Sequence, residues 1–87
     1  MTYIVTWSIA ALAQLARVAA ESGDPVGVDR QAVWVDSILR RYPFDMGESR
    51  NANERLWYSD VLGVYYRVDD LALTVRVMSV GPARRRH

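Results

Sequence analysis

From Arg55 to Gly81 the chain reads RLWYSDVLGVYYRVDDLALTVRVMSVG, three stretches in which apolar and polar residues alternate. A period of two is that of a strand with one buried face, and Ser59-Asp60 and Asp69-Asp70 supply the turns between strands. The alternation predicts a core-facing wall of Leu56, Leu62, Val64, Tyr66, Val68, Leu73, Val75 and Val77. The opposite face then carries Arg55, Trp57, Tyr65, Arg67, Thr74, Arg76 and Met78. A basic, aromatic sheet face that is not the core face is a candidate surface for a polyanion or a partner protein. Of the adjacent tyrosines one must point inward, and this phase puts Tyr66 inside and Tyr65 on the open face.

Upstream the period changes. Thr2 to Trp7 alternates and predicts a first strand, with Trp7 a core residue of it. Ser8 is a good N-cap for an Ala- and Leu-rich helix running to about Glu21, with Leu12, Leu15, Ala16 and Ala19 on one face. Ser22-Gly23 stops it, and Asp24-Pro25 opens a second helix to about Arg41. Its apolar side is Val28, Ala32, Val35, Ile38 and Leu39, while Trp34 lies off that stripe as a boundary or interface residue. The short connection predicts an antiparallel helical hairpin. Tyr42 to Glu54 shows no periodicity and reads as a loop, long for so small a domain. The order β-α-α-β-β-β predicts a two-layer α+β domain spanning residues 1–87, the hairpin packed on one face of a mainly antiparallel sheet.

Composition narrows the class. With 87 residues and 51% hydrophobic content, the chain suits one small compact domain and excludes general disorder. There is no cysteine, hence no disulfide and no thiolate metal site, and with so little stability in hand a partner or self-association becomes more plausible. No apolar run approaches the roughly 18–20 residues of a membrane span, and the start lacks a signal peptide's charged region, so the expectation is a cytoplasmic protein with no membrane partner. The net charge is only +1, yet all 11 basic residues are Arg, the side chain suited to forked phosphate contacts. Genomic base composition produces the same bias.

The order of elements and several motifs resemble the RelE/ParE superfamily of bacterial type II toxin–antitoxin toxins, often labelled plasmid stabilization proteins. The matching pieces are Tyr3-Ile-Val-Thr-Trp-Ser8 before an Ala-rich helix, Pro43 with Gly47-Glu-Ser-Arg50, Leu62-Gly-Val-Tyr-Tyr-Arg-Val-Asp69 and Val77-Met-Ser-Val-Gly81. The resemblance implies a toxin neutralised by a cognate antitoxin, with operator DNA met only through the antitoxin complex and no cofactor or metal. It implies one of two actions: blocking translation by ribosome-dependent mRNA cleavage (an mRNA interferase), or, in ParE-like members, inhibiting DNA gyrase without nuclease activity. A non-catalytic binding module using the same face is the third reading.

RNA cleavage by a ribose 2′-hydroxyl needs a proton acceptor, charge stabilisation at phosphorus and a proton donor to the leaving oxygen. RelE-like enzymes place Lys and Arg on the second strand, Arg at the start of the third, Arg after the last, and a C-terminal Tyr or His. Carried over, the candidates are Arg55 on the second strand and His87 at the end, while Gly63 and Pro82-Ala83 stand where further cations are expected. Arg67 and Arg76 are additional cations on the open face and complete the candidate catalytic set. Trp57, Tyr65, Arg84, Arg85 and Arg86 are candidate RNA- or partner-binding residues. The structural alternatives are a Trp57 packed beneath the long loop and an arginine tail that is only a solvated charge run. Glu48 and Glu54 flank the loop as potential general bases or as solvated carboxylates, and Asp69-Asp70 reads as a turn without metal.

Overall fold

The computed structural model describes residues 2–83. Within them, β1 (Ile4–Trp7), α1 (Ile9–Ser22), α2 (Pro25–Leu39), β2 (Glu48–Ser49), β3 (Glu54–Tyr58), β4 (Leu62–Asp69) and β5 (Thr74–Pro82) build one sheet of order β1-β5-β4-β3-β2. β1 runs parallel to β5 and the other pairs are antiparallel. The helices cover one face, and the two-layer α+β architecture is the one the sequence predicts.

The helix ends follow from local chemistry. Ser8 Oγ accepts from the Ala11 N–H at 2.9 Å, and Gly23 closes α1 in the left-handed region at φ 77°. Asp24 Oδ1 accepts from the Gly27 N–H at 3.1 Å, with Pro25 in the first turn of α2. α2 ends at Leu39, two residues before the expected Arg41, because the Arg41 and Tyr42 N–H groups both turn back to the Ile38 carbonyl. Val28, Ala32, Val35 and Leu39 are buried as predicted. On α1 the phase differs: Ala11 and Ala19 are buried with Leu15 and Val18 beside them, while Leu12 is 52% exposed. Small residues face the sheet there, and Leu12 is turned toward the outer surface of the hairpin.

The sheet corrects three side-chain assignments, all on β3. β3 pairs Arg55 with Tyr66 and Trp57 with Val64, and directly opposed residues share a face. Arg55 and Trp57 therefore lie on the helix-covered side, and Leu56, expected in the core wall, lies on the open side. The indole decides the register: burying it removes more apolar surface from water than burying a leucine does. Trp57 is 8% exposed and stacks against Trp34 of α2, ring centroids 5.6 Å apart and tilted by 50°. In β5 a bulge sets Tyr65 opposite Ser79 and Tyr66 opposite Val77, leaving Met78 without a partner. The bulge resets the alternation, so Val80 points inward and Ser79 outward.

The predicted loop is partly ordered. β2 pairs Glu48 with Leu56 and Ser49 with Arg55, and Gly47, at φ 66°, lets the chain approach the β3 backbone. The buried Tyr66 hydroxyl donates to the Pro43 carbonyl at 2.6 Å, and Arg55 donates to the Met46 and Gly47 carbonyls at 2.9 and 3.2 Å. At the opposite end Tyr3 OH donates to Asp70 Oδ1 at 2.6 Å, and Asp69 Oδ1 accepts from the Ala72 N–H at 3.0 Å, tying down the β4–β5 turn. No helix among the described residues is long and apolar enough to cross a membrane.

Candidate functional site

The open face is laid out in rows that run across the strands. One row is Thr6 on β1, Arg76 on β5, Arg67 on β4 and Glu54 on β3. The next is Ser79, Tyr65, Leu56 and Glu48, and a third is Gly81, Gly63 and Tyr58. Arg67 and Arg76 are directly opposed like charges, a repulsive pairing unless something intervenes. Glu54 offsets that repulsion from the far side of Arg67, whose Nη2 donates to its Oε2 at 2.7 Å.

The Glu54 carboxylate collects two further donors. The Tyr65 hydroxyl donates to Oε1, and Asn51 Nδ2 donates to the same oxygen at 3.0 Å. Asn51 is brought into range by the tight β2–β3 connection, where its N–H and the Arg50 N–H both bond the Glu54 carbonyl. Hydrogen bonds from Tyr65, Arg67 and Asn51, in that order of weight, hold the Glu54 carboxyl down to about 2. The same contact with Glu54 raises the Tyr65 phenol above its ordinary value, so it keeps its proton at neutral pH. Glu54 is mostly covered, its side chain 16% exposed, whereas that of Arg67 is 58% exposed.

Beside this cluster lies a cleft of about 400 Å³ lined by Gln14, Leu56, Tyr58, Gly63, Tyr65, Ser79, Val80, Gly81 and Pro82. Its floor is low because of Gly63: a side chain there would meet the Tyr58 ring at 2.7 Å. Gln14 of α1 closes one wall, its Oε1 accepting from the Val80 N–H at 2.7 Å. The cleft is thus neutral and flanked by two aromatic rings, with the Arg67–Arg76 pair one row away. A flat ring can lie between such walls while an attached anion reaches the cations.

The structure brings together Tyr65, Arg67 and Arg76 of the sequence-derived candidates. It does not bring Arg55 or Trp57 to them: both are on the covered side, Arg55 clamping the 46–47 carbonyls and Trp57 packing in the core. Arg84, Arg85, Arg86 and His87 lie outside the described residues. Glu54, a loop-flanking carboxylate by sequence, is at the centre of the cluster, and the sequence pattern does not point to Asn51, Tyr58, Ser79 or Gln14. The signal that finds Glu54 is the β3 register: once Trp57 is placed in the core, Glu54, Leu56 and Tyr58 must face outward. Among the described residues no group of His, Cys, Asp and Glu side chains is placed to hold a metal ion.

A second surface lies on the helical layer. A groove of about 420 Å³ is lined by Trp7, Leu12, Leu15, Ala32, Val33, Asp36, Ser37 and Arg40. Val33 is 70% exposed, so its rim is apolar and open to solvent. Asp36 is fixed between Trp7 Nε1, which donates to Oδ2 at 2.8 Å, and Arg40 Nε, 2.9 Å from Oδ1.

The sequence matches no protein-family model and no curated protein. Its fold does have solved counterparts. A chain of the RelBE2 toxin–antitoxin complex from Mycobacterium tuberculosis is similar with a TM-score of 0.77, 20% identity, and coverage of 94% of this chain and 99% of that one. A chain of the chromosomal ParDE system from P. aeruginosa gives a TM-score of 0.71 at 13% identity over 95% and 98% of the two chains. The isolated RelE toxin of E. coli gives 0.70 at 16% identity over 98% of this chain and 88% of that one. These likenesses establish the RelE/ParE fold for this chain.

Proposed function

We propose that this RelE/ParE-fold chain is the toxin half of a toxin–antitoxin pair, that it blocks translation through the open sheet face, and that a cognate antitoxin neutralises it. The observation that carries the reading is the row of Arg76 and Arg67 beside Tyr65 and the Tyr58-walled cleft, a pattern suited to a nucleotide chain. RNA cleavage on this face would use Arg67 and Arg76 to balance the charge at phosphorus and the protonated Tyr65 phenol as proton donor to the leaving oxygen. Glu54, the carboxylate of that row, would be the proton acceptor, and held at about 2 it is a weak one until it is released from its donors.

The groove between α1 and α2 supports the antitoxin as partner, since an amphipathic helix presents the apolar stripe that such a groove covers. A gyrase-directed toxin without nuclease activity is the second reading. It is favoured by Glu54 and Leu56 on the outward side of β3, and by Gly63 and Pro82, where the resemblance leads one to expect cations.

Inducible expression in a bacterial host, with and without the neighbouring small open reading frame, tests the proposal. Growth arrest relieved by the neighbour, with codon-phased cuts in translated messages by primer extension, is the expected result. Intact messages with an SOS response would move the target to gyrase, and harmless expression would refute the toxin reading.

A further inference from the structure

Tyr65 and Arg67 of β4 and Asn51 of the β2–β3 connection converge on one point, and that point is filled by a carboxylate of the same chain. Three donors aimed at one oxyanion form a receptor, and a carboxylate and a phosphate present it with similar acceptor oxygens. Glu54 is built into the adjacent strand, so it competes at the high effective concentration of a tethered ligand.

We infer that the open face carries an oxyanion site for an RNA phosphate which Glu54 occupies in cis, so that RNA gains Arg67 only by displacing Glu54. RNA as the source of the phosphate rests on the translation-directed reading above; the receptor and its internal occupant rest on geometry alone. The arrangement is asymmetric in a useful way. Arg76 has no carboxylate opposite it in the ladder: its neighbours are Arg67 on one side and Thr6 on the other. Arg76 therefore meets the first phosphate, and Arg67 joins only when Glu54 lets go. Release also returns the Glu54 carboxyl toward its ordinary range, where it accepts a proton more readily, so engagement of the phosphate and supply of a base become one event. Removing the internal anion adds one cation contact to the bound state and removes one repulsive charge beside it.

The test is fluorescence anisotropy of a short labelled single-stranded RNA with the parent, Glu54→Ala, Glu54→Gln, Arg76→Ala and Glu54→Ala/Arg67→Ala proteins, across salt from about 50 to 200 mM. Glu54→Ala should bind roughly tenfold more tightly, with a log–log salt slope steeper by about 0.7, the increment of one added phosphate contact on a single strand. Adding Arg67→Ala should erase both gains. Glu54→Gln, which keeps an acceptor oxygen and hence the fold, should also tighten binding if Glu54→Ala is unstable. If Arg76→Ala weakens binding while both Glu54 variants bind as the parent does, the open face is an RNA surface and the internal-occupant proposal is wrong. A gain that survives Arg67→Ala overturns it as well. If every variant matches the parent, both it and the RNA reading of the face fall.

Discussion

Arg55 and Tyr66 stand directly opposite each other in the β3–β4 ladder and grip the same loop from the covered side of the sheet. Tyr66 holds the Pro43 carbonyl and Arg55 the carbonyls of Met46 and Gly47. Arg55 is therefore a loop clamp. Arg55→Met, which keeps the aliphatic stem, should cost about 2 kcal/mol through lost charge-assisted hydrogen bonds, measured by urea titration. At a temperature where the variant is folded, its RNA binding should equal the parent's, which is the outcome a residue on the working face would not give.

Gly47 is the second support of that loop. Its positive φ and its approach to the Leu56 carbonyl leave no room for a side chain. Gly47→Ala should destabilise the fold by about 2 kcal/mol or more, from left-handed strain plus displacement of β2. Thermal unfolding followed by circular dichroism reads this directly.

Glu54 gives a pH signature. Its carboxyl is held at about 2 in the folded chain against an ordinary 4.5, so between those values the unfolded state binds the extra proton. The resulting stabilisation is complete above about 4.5 and is lost as pH falls toward 2. Glu54→Gln should flatten the acid limb of stability against pH, seen in urea midpoints at about pH 6 and about pH 3. An unchanged acid limb would mean that the contacts to Tyr65, Arg67 and Asn51 do not persist in solution.

These residues also show what a single sequence reveals. β4 was legible because GVYYRVD keeps one phase throughout, so Tyr66 inside and Tyr65 and Arg67 outside followed from alternation, as Arg76 outside did from TVRV at the start of β5. β3 was not legible, since in RLWY both phases place one large apolar residue inward. The choice of Trp57 over Leu56 is made by Trp34, a contact between elements that local pattern does not contain. The bulge at Met78 and the two-residue β2 likewise depend on pairing partners. The caps Ser8 and Asp24 were legible because capping is local, whereas the phase of α1 was set by how closely Ala11 lets the helix approach the sheet. The Glu54 cluster was hidden for the same reason as the β3 register.

The helical groove predicts an antitoxin contact that is separable from the sheet face. Leu12 and Val33 are 52% and 70% exposed, so Leu12→Glu and Val33→Glu should change stability by less than about 0.5 kcal/mol. They should weaken capture of the antitoxin by roughly tenfold or more, because a charge placed in an apolar contact is desolvated on binding. Growth arrest should persist, and the antitoxin should no longer relieve it. Calorimetric titration of the purified pair checks the first effect and co-expression the second.

If Arg67 and Arg76 on the open sheet face deliver the toxic effect, growth after induction of Arg67→Ala/Arg76→Ala must show it. At matched protein level and with a parent-like circular dichroism spectrum, the parent should arrest growth and the double variant should not. A folded double variant that arrests growth as fully as the parent would contradict that role of the two arginines.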